Sequence, residues 1–152
     1  MIKQFDLGGM TTSEVIAQAW ARQKKTEVAS KRSQAEEVFA EECRRYRLPT
    51  YTRKVVMPAT HLTPKLRRAA TWEFDGIFHE YKLLIEIQGG VWRRGGGAHS
   101  HPTDIIRNMQ KQNDATLRGF RLLQFTPDEV LNHTAVHYTQ RVLIELFGWE
   151  RA

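Results

Sequence analysis

From Ser13 to Lys25 the apolar residues Val15, Ile16, Ala19 and Trp20 recur at the spacing of one helix face. Ser13 is the expected N-cap. The polar, basic stretch TEVASKRS follows and reads as a linker, making residues 1–30 an N-terminal helical appendage and 31–152 the core domain. A second helix is expected over SQAEEVFAEECRRYRLP. There Ser33 and Glu36 stand at capping-box spacing, Ala35, Val38, Phe39, Glu42, Cys43 and Tyr46 share one side, and Leu48-Pro49 ends the run.

The period then shortens. TRKVVMP (52–58) reads as a strand, and ATHLTPKLRRAAT as a loop carrying Lys65, Arg67 and Arg68. In WEFDGIFH (72–79), Trp72, Phe74, Gly76 and Phe78 alternate with Glu73, Asp75, Ile77 and His79, the pattern of a strand. KLLIEIQ (82–88) is another, separated from it only by a turn-like HEY, so the two predict a hairpin. The glycine-rich loop GGVWRRGGGAHSHP leads into a helix over 103–118, with Ile105, Ile106, Met109, Thr116 and Leu117 on its inward side. RLLQFTP (121–127) predicts a strand, and one or two helices close the chain over 128–147, where Val136, Val142, Leu143, Leu146 and Phe147 share helical spacing. This order implies an α/β fold with a central mixed β-sheet flanked by helices. KLLIEIQ, the helix and RLLQFTP form a candidate βαβ crossover.

Composition narrows the class. A chain of 152 residues suits one core and can bury it without disulfides. With 41% hydrophobic and 26% charged residues it is globular rather than disordered. Its one cysteine, Cys43, cannot form an internal disulfide and reads as a small core residue of a reduced, intracellular protein. No apolar run is long enough for a membrane helix, and MIKQFDLGGMTT is not a secretory signal, so no membrane partner is expected. A net charge of +6 suits a polyanion such as DNA.

The chemistry rests on acids in unusual places. Asp75 interrupts an aromatic and aliphatic strand, and Glu86 interrupts LLIEI, which otherwise reads as a buried central strand. A carboxylate buried in such company is costly unless it is paired, hydrogen-bonded or bound to a cation. On adjacent strands of a hairpin the two can face the same way and lie within several ångströms. A hard dication such as Mg²⁺ would relieve their repulsion, activate a water and stabilise charge on a scissile phosphate. Gln88 lies two residues beyond Glu86 and so projects from the same strand face, where its amide could hold a water or a phosphate oxygen.

Asp75 followed one hairpin later by Glu86-Ile87-Gln88 resembles the PD-(D/E)XK nuclease superfamily, with glutamine at the lysine position. The resemblance covers roughly residues 33–130, and the arrangement looks like small phage and bacterial endonucleases related to very-short-patch repair endonucleases and Holliday-junction resolvases. It departs from the pattern in lacking a proline before Asp75 and the lysine at 88. The resemblance implies a restriction-endonuclease-like αβββαβ core and a Mg²⁺ cofactor, with Mn²⁺ able to substitute. It implies hydrolysis of DNA phosphodiester bonds, on branched, mismatched or nicked substrates, in the cytoplasm of a bacterium or phage-infected host cell. It adds Glu36 of the leading helix to the metal ligands Asp75 and Glu86, and Lys111 of the later helix to the catalytic set Asp75, Glu86, Gln88 and Glu36.

Each addition has a competing reading. Glu36 satisfies a capping box without any metal, and Lys111 falls opposite the apolar stripe of its helix, where lysines are commonly solvated. Arg93, Arg94, His99 and His101 in the glycine-rich loop, with Arg67 and Arg68, are candidate DNA contacts or a solvated basic surface. A homodimer would cut both strands, a monomer one, and the sequence leaves both open. Two other functions compete with the endonuclease. One is a catalytically inactive nucleic-acid-binding module on the same fold, favoured by the missing lysine. The other, a His-Asn-His nuclease built on His99 or His101, needs a ββα arrangement, whereas the chain after His101 reads as helix.

Overall fold

The computed structural model of the protein describes residues 11–60, 71–89 and 102–152. Its first element is one helix where two were expected. α1 runs unbroken from Thr12 to Arg45. TEVASKRS holds neither proline nor glycine, and inside it the Thr26 hydroxyl donates back to the Arg22 carbonyl at 3.0 Å, so nothing stops the helix. The cap is Thr11 rather than Ser13: Glu14 N–H donates to the Thr11 hydroxyl, and the Glu14 carboxylate accepts from Thr11 N–H at 2.7 Å. Ser33 is therefore interior to α1, and the capping role is unavailable to Glu36.

Four strands follow the order the alternation implied: β1 (Tyr51–Pro58), β2 (Thr71–Phe78), β3 (Leu83–Ile87) and β4 (Arg121–Phe125). They lie in that order in one sheet, β1–β2 and β2–β3 antiparallel, β3–β4 parallel. A short 3-10 turn at His79–Tyr81 closes the hairpin, with Lys82 left-handed at φ 48°. α2 (Pro102–Leu117) is the crossover between the parallel strands, and α3 (Pro127–Leu131) and α4 (Thr134–Phe147) close the fold. Thr126 and Glu129 form a capping box at the start of α3, with Pro127 in its first turn. The left-handed Gly148 (φ 65°) ends α4 by donating to Ile144 O. The protein is thus α/β, a four-stranded mixed sheet between helices.

Two apolar layers hold it. On one sheet face Ala35, Phe39 and Cys43 of α1 pack with Ile85, Ile87, Phe125, Val130, Val136 and Leu143. On the other, Ala115 of α2 packs with Met57, Trp72, Phe74, Ile77 and Leu84. Covered on both faces, every residue of LLIEI is buried.

α2 is rotated from its expected pose. Ile105, Ile106, Met109, Thr116 and Leu117 are exposed, and Gln110, Asp114 and Ala115 point inward. The cause is polar. Asp114 accepts from the Trp72 indole N–H at 2.6 Å and from the Thr60 N–H at 2.9 Å and hydroxyl at 2.5 Å, and these bonds outweigh the stripe in setting the helix face. Among the described residues, no helix is long and apolar enough to cross a membrane.

Candidate metal centre

The site begins with an irregularity in β2. Trp72 and Phe74, at even positions, belong to the layer under α2, but so does Ile77, at an odd one. The alternation therefore slips at Asp75-Gly76. Opposite on β1, Lys54 is left-handed at φ 56°, and the β1–β2 pairing runs Arg53↔Gly76, then Val55↔Phe74, with no pair between them. The β2–β3 pairing also ends at Gly76↔Ile85. Continuing that register one step sets Asp75 opposite Glu86. In place of a ladder bond, the Ile87 N–H donates to Asp75 Oδ2 at 2.6 Å. Gly76 allows this pinch because the Tyr51 phenol lies on it: a Cβ there would be 2.5 Å from Tyr51 Cε2 and nearer still to Cζ and Oη. Phe39 and Phe78 hold that ring with centroids 5.2 and 5.1 Å away.

Three elements then supply charge. Arg32 of α1 donates to Asp75 Oδ1 at 2.9 Å, and its Nε lies 3.2 Å from Glu36 Oε1, one helical turn on. Arg53 of β1 stands 3.7 Å from the other Glu36 oxygen. Burial, then the neighbouring Asp75 carboxylate, hold the Glu36 pKa above its ordinary value, against the pull of Arg32 and Arg53. Burial opposes the Arg32 charge, but Asp75, Glu36 and Glu86 together outweigh it and raise its pKa. Burial likewise pushes the Tyr51 phenol up, helped by Cys43 and Asp75.

Glu86 is served from the other side. Lys111 of α2 forms an ion pair with its Oε1, both side chains nearly buried, and the Lys111 ammonium lies 4.3 Å from the Phe74 ring centroid. Gln124, its register partner on β4, offers Nε2 at 3.4 Å. Lys111 is therefore not the solvated residue its position opposite the apolar stripe suggested. With α2 rotated, that side of the helix is the inward one.

Asp75 and Glu86 thus share a register position but, against the expectation that they face the same way, take their partners from helices on opposite faces of the sheet, Arg32 of α1 and Lys111 of α2. Glu36 joins Asp75, Lys111 joins Glu86, and Arg32 senses all three acids. Gln88, half-buried just past β3, extends the parallel ladder by donating its N–H to Phe125 O at 2.7 Å. Lys65, Arg67, Arg68, Arg93, Arg94, His99 and His101 lie outside the described residues. Arg32 was missed from sequence because it sat in the segment read as linker. Its spacing of four from Glu36 was the available signal.

No family model, curated protein or solved structure matches this chain. Among the described residues, no three His, Cys, Asp or Glu side chains converge as a ligand group. Mg²⁺ does not require such a group, since it commonly takes one or two carboxylates and fills its shell with water and substrate oxygens. Asp75 and Glu36 are close enough for one charge to oppose ionisation of the other, while Arg32 and Arg53 pull the opposite way. Hard oxygen donors in an acid-rich pinch fit a small dication.

Proposed function

We propose that this chain is a Mg²⁺-dependent DNA endonuclease with a restriction-endonuclease-like αβββαβ core of the PD-(D/E)XK type. The observation that supports it best is the lapse of strand pairing at Asp75, opposite Glu86, with Glu36 and Lys111 brought to these acids from two helices. The observed element order, helix, three strands, helix, strand, is the one that reading requires.

Asp75 and Glu36 would hold the ion, with Glu86, the third expected ligand, across the pairing lapse and held by Lys111. Bound there, Mg²⁺ would supply Lewis acidity toward a phosphate oxygen and lower the pKa of a water. The protein's own groups prepare that spot. The Ile87 N–H fixes one Asp75 oxygen, so the carboxylate presents the other at a set angle. Lys111 steadies Glu86 and brings a positive charge that Gln88 cannot, placing a cation where negative charge grows on phosphate. Gln88, with its amide, would orient water or a phosphate oxygen. The partner is DNA, drawn by the net charge of +6.

A second reading has its own support. Asp75 and Glu86 each already carry a basic partner, Arg32 and Lys111, and the lysine slot holds glutamine. A DNA-binding module that does not turn over would tolerate both. Incubating the protein with supercoiled plasmid, with and without Mg²⁺ or Mn²⁺, separates the two. Metal-dependent nicking that Asp75→Ala and Glu86→Ala each abolish, with DNA binding kept, is the expected outcome. Retained binding with no nicking by the wild type would leave the module.

A further inference from the structure

We propose that Arg32 is a built-in occupant of the metal site, a guanidinium that holds the acids in the ion-free protein and must leave for a dication to enter. This rests on the metal reading above and extends it to how the site is controlled. Arg32 is the one side chain described here that reaches both Asp75 and Glu36 and also feels Glu86. It stands toward the very oxygens the ion would need, and it is charged whether or not the protein meets metal.

The grip is incomplete. Only the contact with Asp75 Oδ1 is a well-formed hydrogen bond. The Arg32 Nε is buried yet lacks a hydrogen-bond partner among the described residues, although Glu36 Oε1 is 3.2 Å away, because the approach is poorly aligned. A planar fork that satisfies one carboxylate well and the next badly is a weak ligand of the pair. Its side chain is 44% exposed, so solvent lies within reach of the departing guanidinium. The stem rests on Gly89, whose absent Cβ would be 3.1 Å from Arg32 Cδ, so a short slide of the stem meets no side chain at that position. A dication exchanged for this single charge offers the acids a stronger, more compact partner.

The test is Mn²⁺ binding to the DNA-free protein, followed by isothermal titration and by the metal-induced rise in Tm. Arg32→Met keeps the stem over Gly89 and removes the charge. It should melt lower than wild type without metal, bind Mn²⁺ at least about tenfold tighter, and gain more in Tm from it. Arg32→Lys, which keeps the charge and is the gentler change should Arg32→Met not fold, should fall between the two. Tighter binding that Asp75→Asn then removes supports the exchange. Equal or weaker Mn²⁺ binding by both Arg32 variants overturns it while leaving the metal site standing. No binding by wild type or either variant overturns it and the metal reading together.

Discussion

Lys111→Met isolates the ion pair that links α2 to the sheet. Methionine keeps an unbranched chain over the Phe74 ring and deletes the ammonium, so packing changes little and the electrostatics change entirely. The Lys111 and Glu86 side chains are only 12% and 11% exposed, which puts the pair among buried rather than surface ion pairs. Removing one member of such a pair costs about 3–5 kcal/mol, because the survivor stays buried without compensation. Among the described residues Glu86 would keep one side-chain hydrogen bond, the long one from Gln124, and the more distant charge of Arg32, and slight solvent access tempers the loss, so a value near the lower limit, about 3 kcal/mol, is expected. With a urea m-value of about 1.5–2 kcal/mol/M for a chain this size, the midpoint should fall by about 1.5–2 M. Glu86→Gln alone should cost a similar amount by stranding the lysine. The double variant should cost less than either single one, since a neutral pair needs no compensation. Urea denaturation followed by circular dichroism on the four proteins completes the cycle. A Lys111→Met cost below about 0.5 kcal/mol, or additive single costs, would refute the claim that this pair is buried and coupled.

Gly76→Ala should destabilise by about 1–3 kcal/mol, read by thermal melting, because the new methyl collides with a phenol already wedged between Phe39 and Phe78. Tyr51→Ala in the same background should make the added methyl nearly neutral, and a full cost there would show that the clash lies elsewhere. For Glu36 the raised pKa sets the sign. Its share of stability is whole below the ordinary value of 4.5 and is lost as pH climbs through the higher folded value. Glu36→Gln should therefore lessen the decline in stability between 4.5 and that higher value, and denaturation midpoints that fall equally in both proteins would contradict it. Gln88→Lys should leave the fold intact and keep or change metal-dependent nicking, and complete loss in a folded variant would remove Gln88 from the lysine position.

The strands were readable because LLIEI and WEFDGIFH carry their burial in plain alternation or in continuous apolar runs, and Asp75 and Glu86 stood out against that background. Where polar contacts decide, the pattern misled. α2 turns its isoleucines outward because Asp114 is satisfied inside, and the donors that satisfy it, Thr60 and Trp72, lie on distant parts of the chain. That same rotation turned Lys111 from a solvated side chain into the partner of Glu86. The slip at Asp75 left no trace in composition either: its β1 counterpart, Lys54, is not a residue that announces a left-handed backbone. α1 runs unbroken for a different reason: TEVASKRS is polar enough to read as a linker, yet it holds no proline or glycine to stop a helix.

That uninterrupted helix has a mechanical consequence. From Thr12 to Arg32 it covers about 30 Å at about 1.5 Å per residue. Trp20 stands 66% exposed on the outer stretch, while Arg32 and Glu36 ride on the inner one. With neither proline nor glycine to absorb bending between them, the helix is a stiff lever. A tilt imposed near Trp20 is carried to the guanidinium and carboxylate at the far end rather than dissipated on the way.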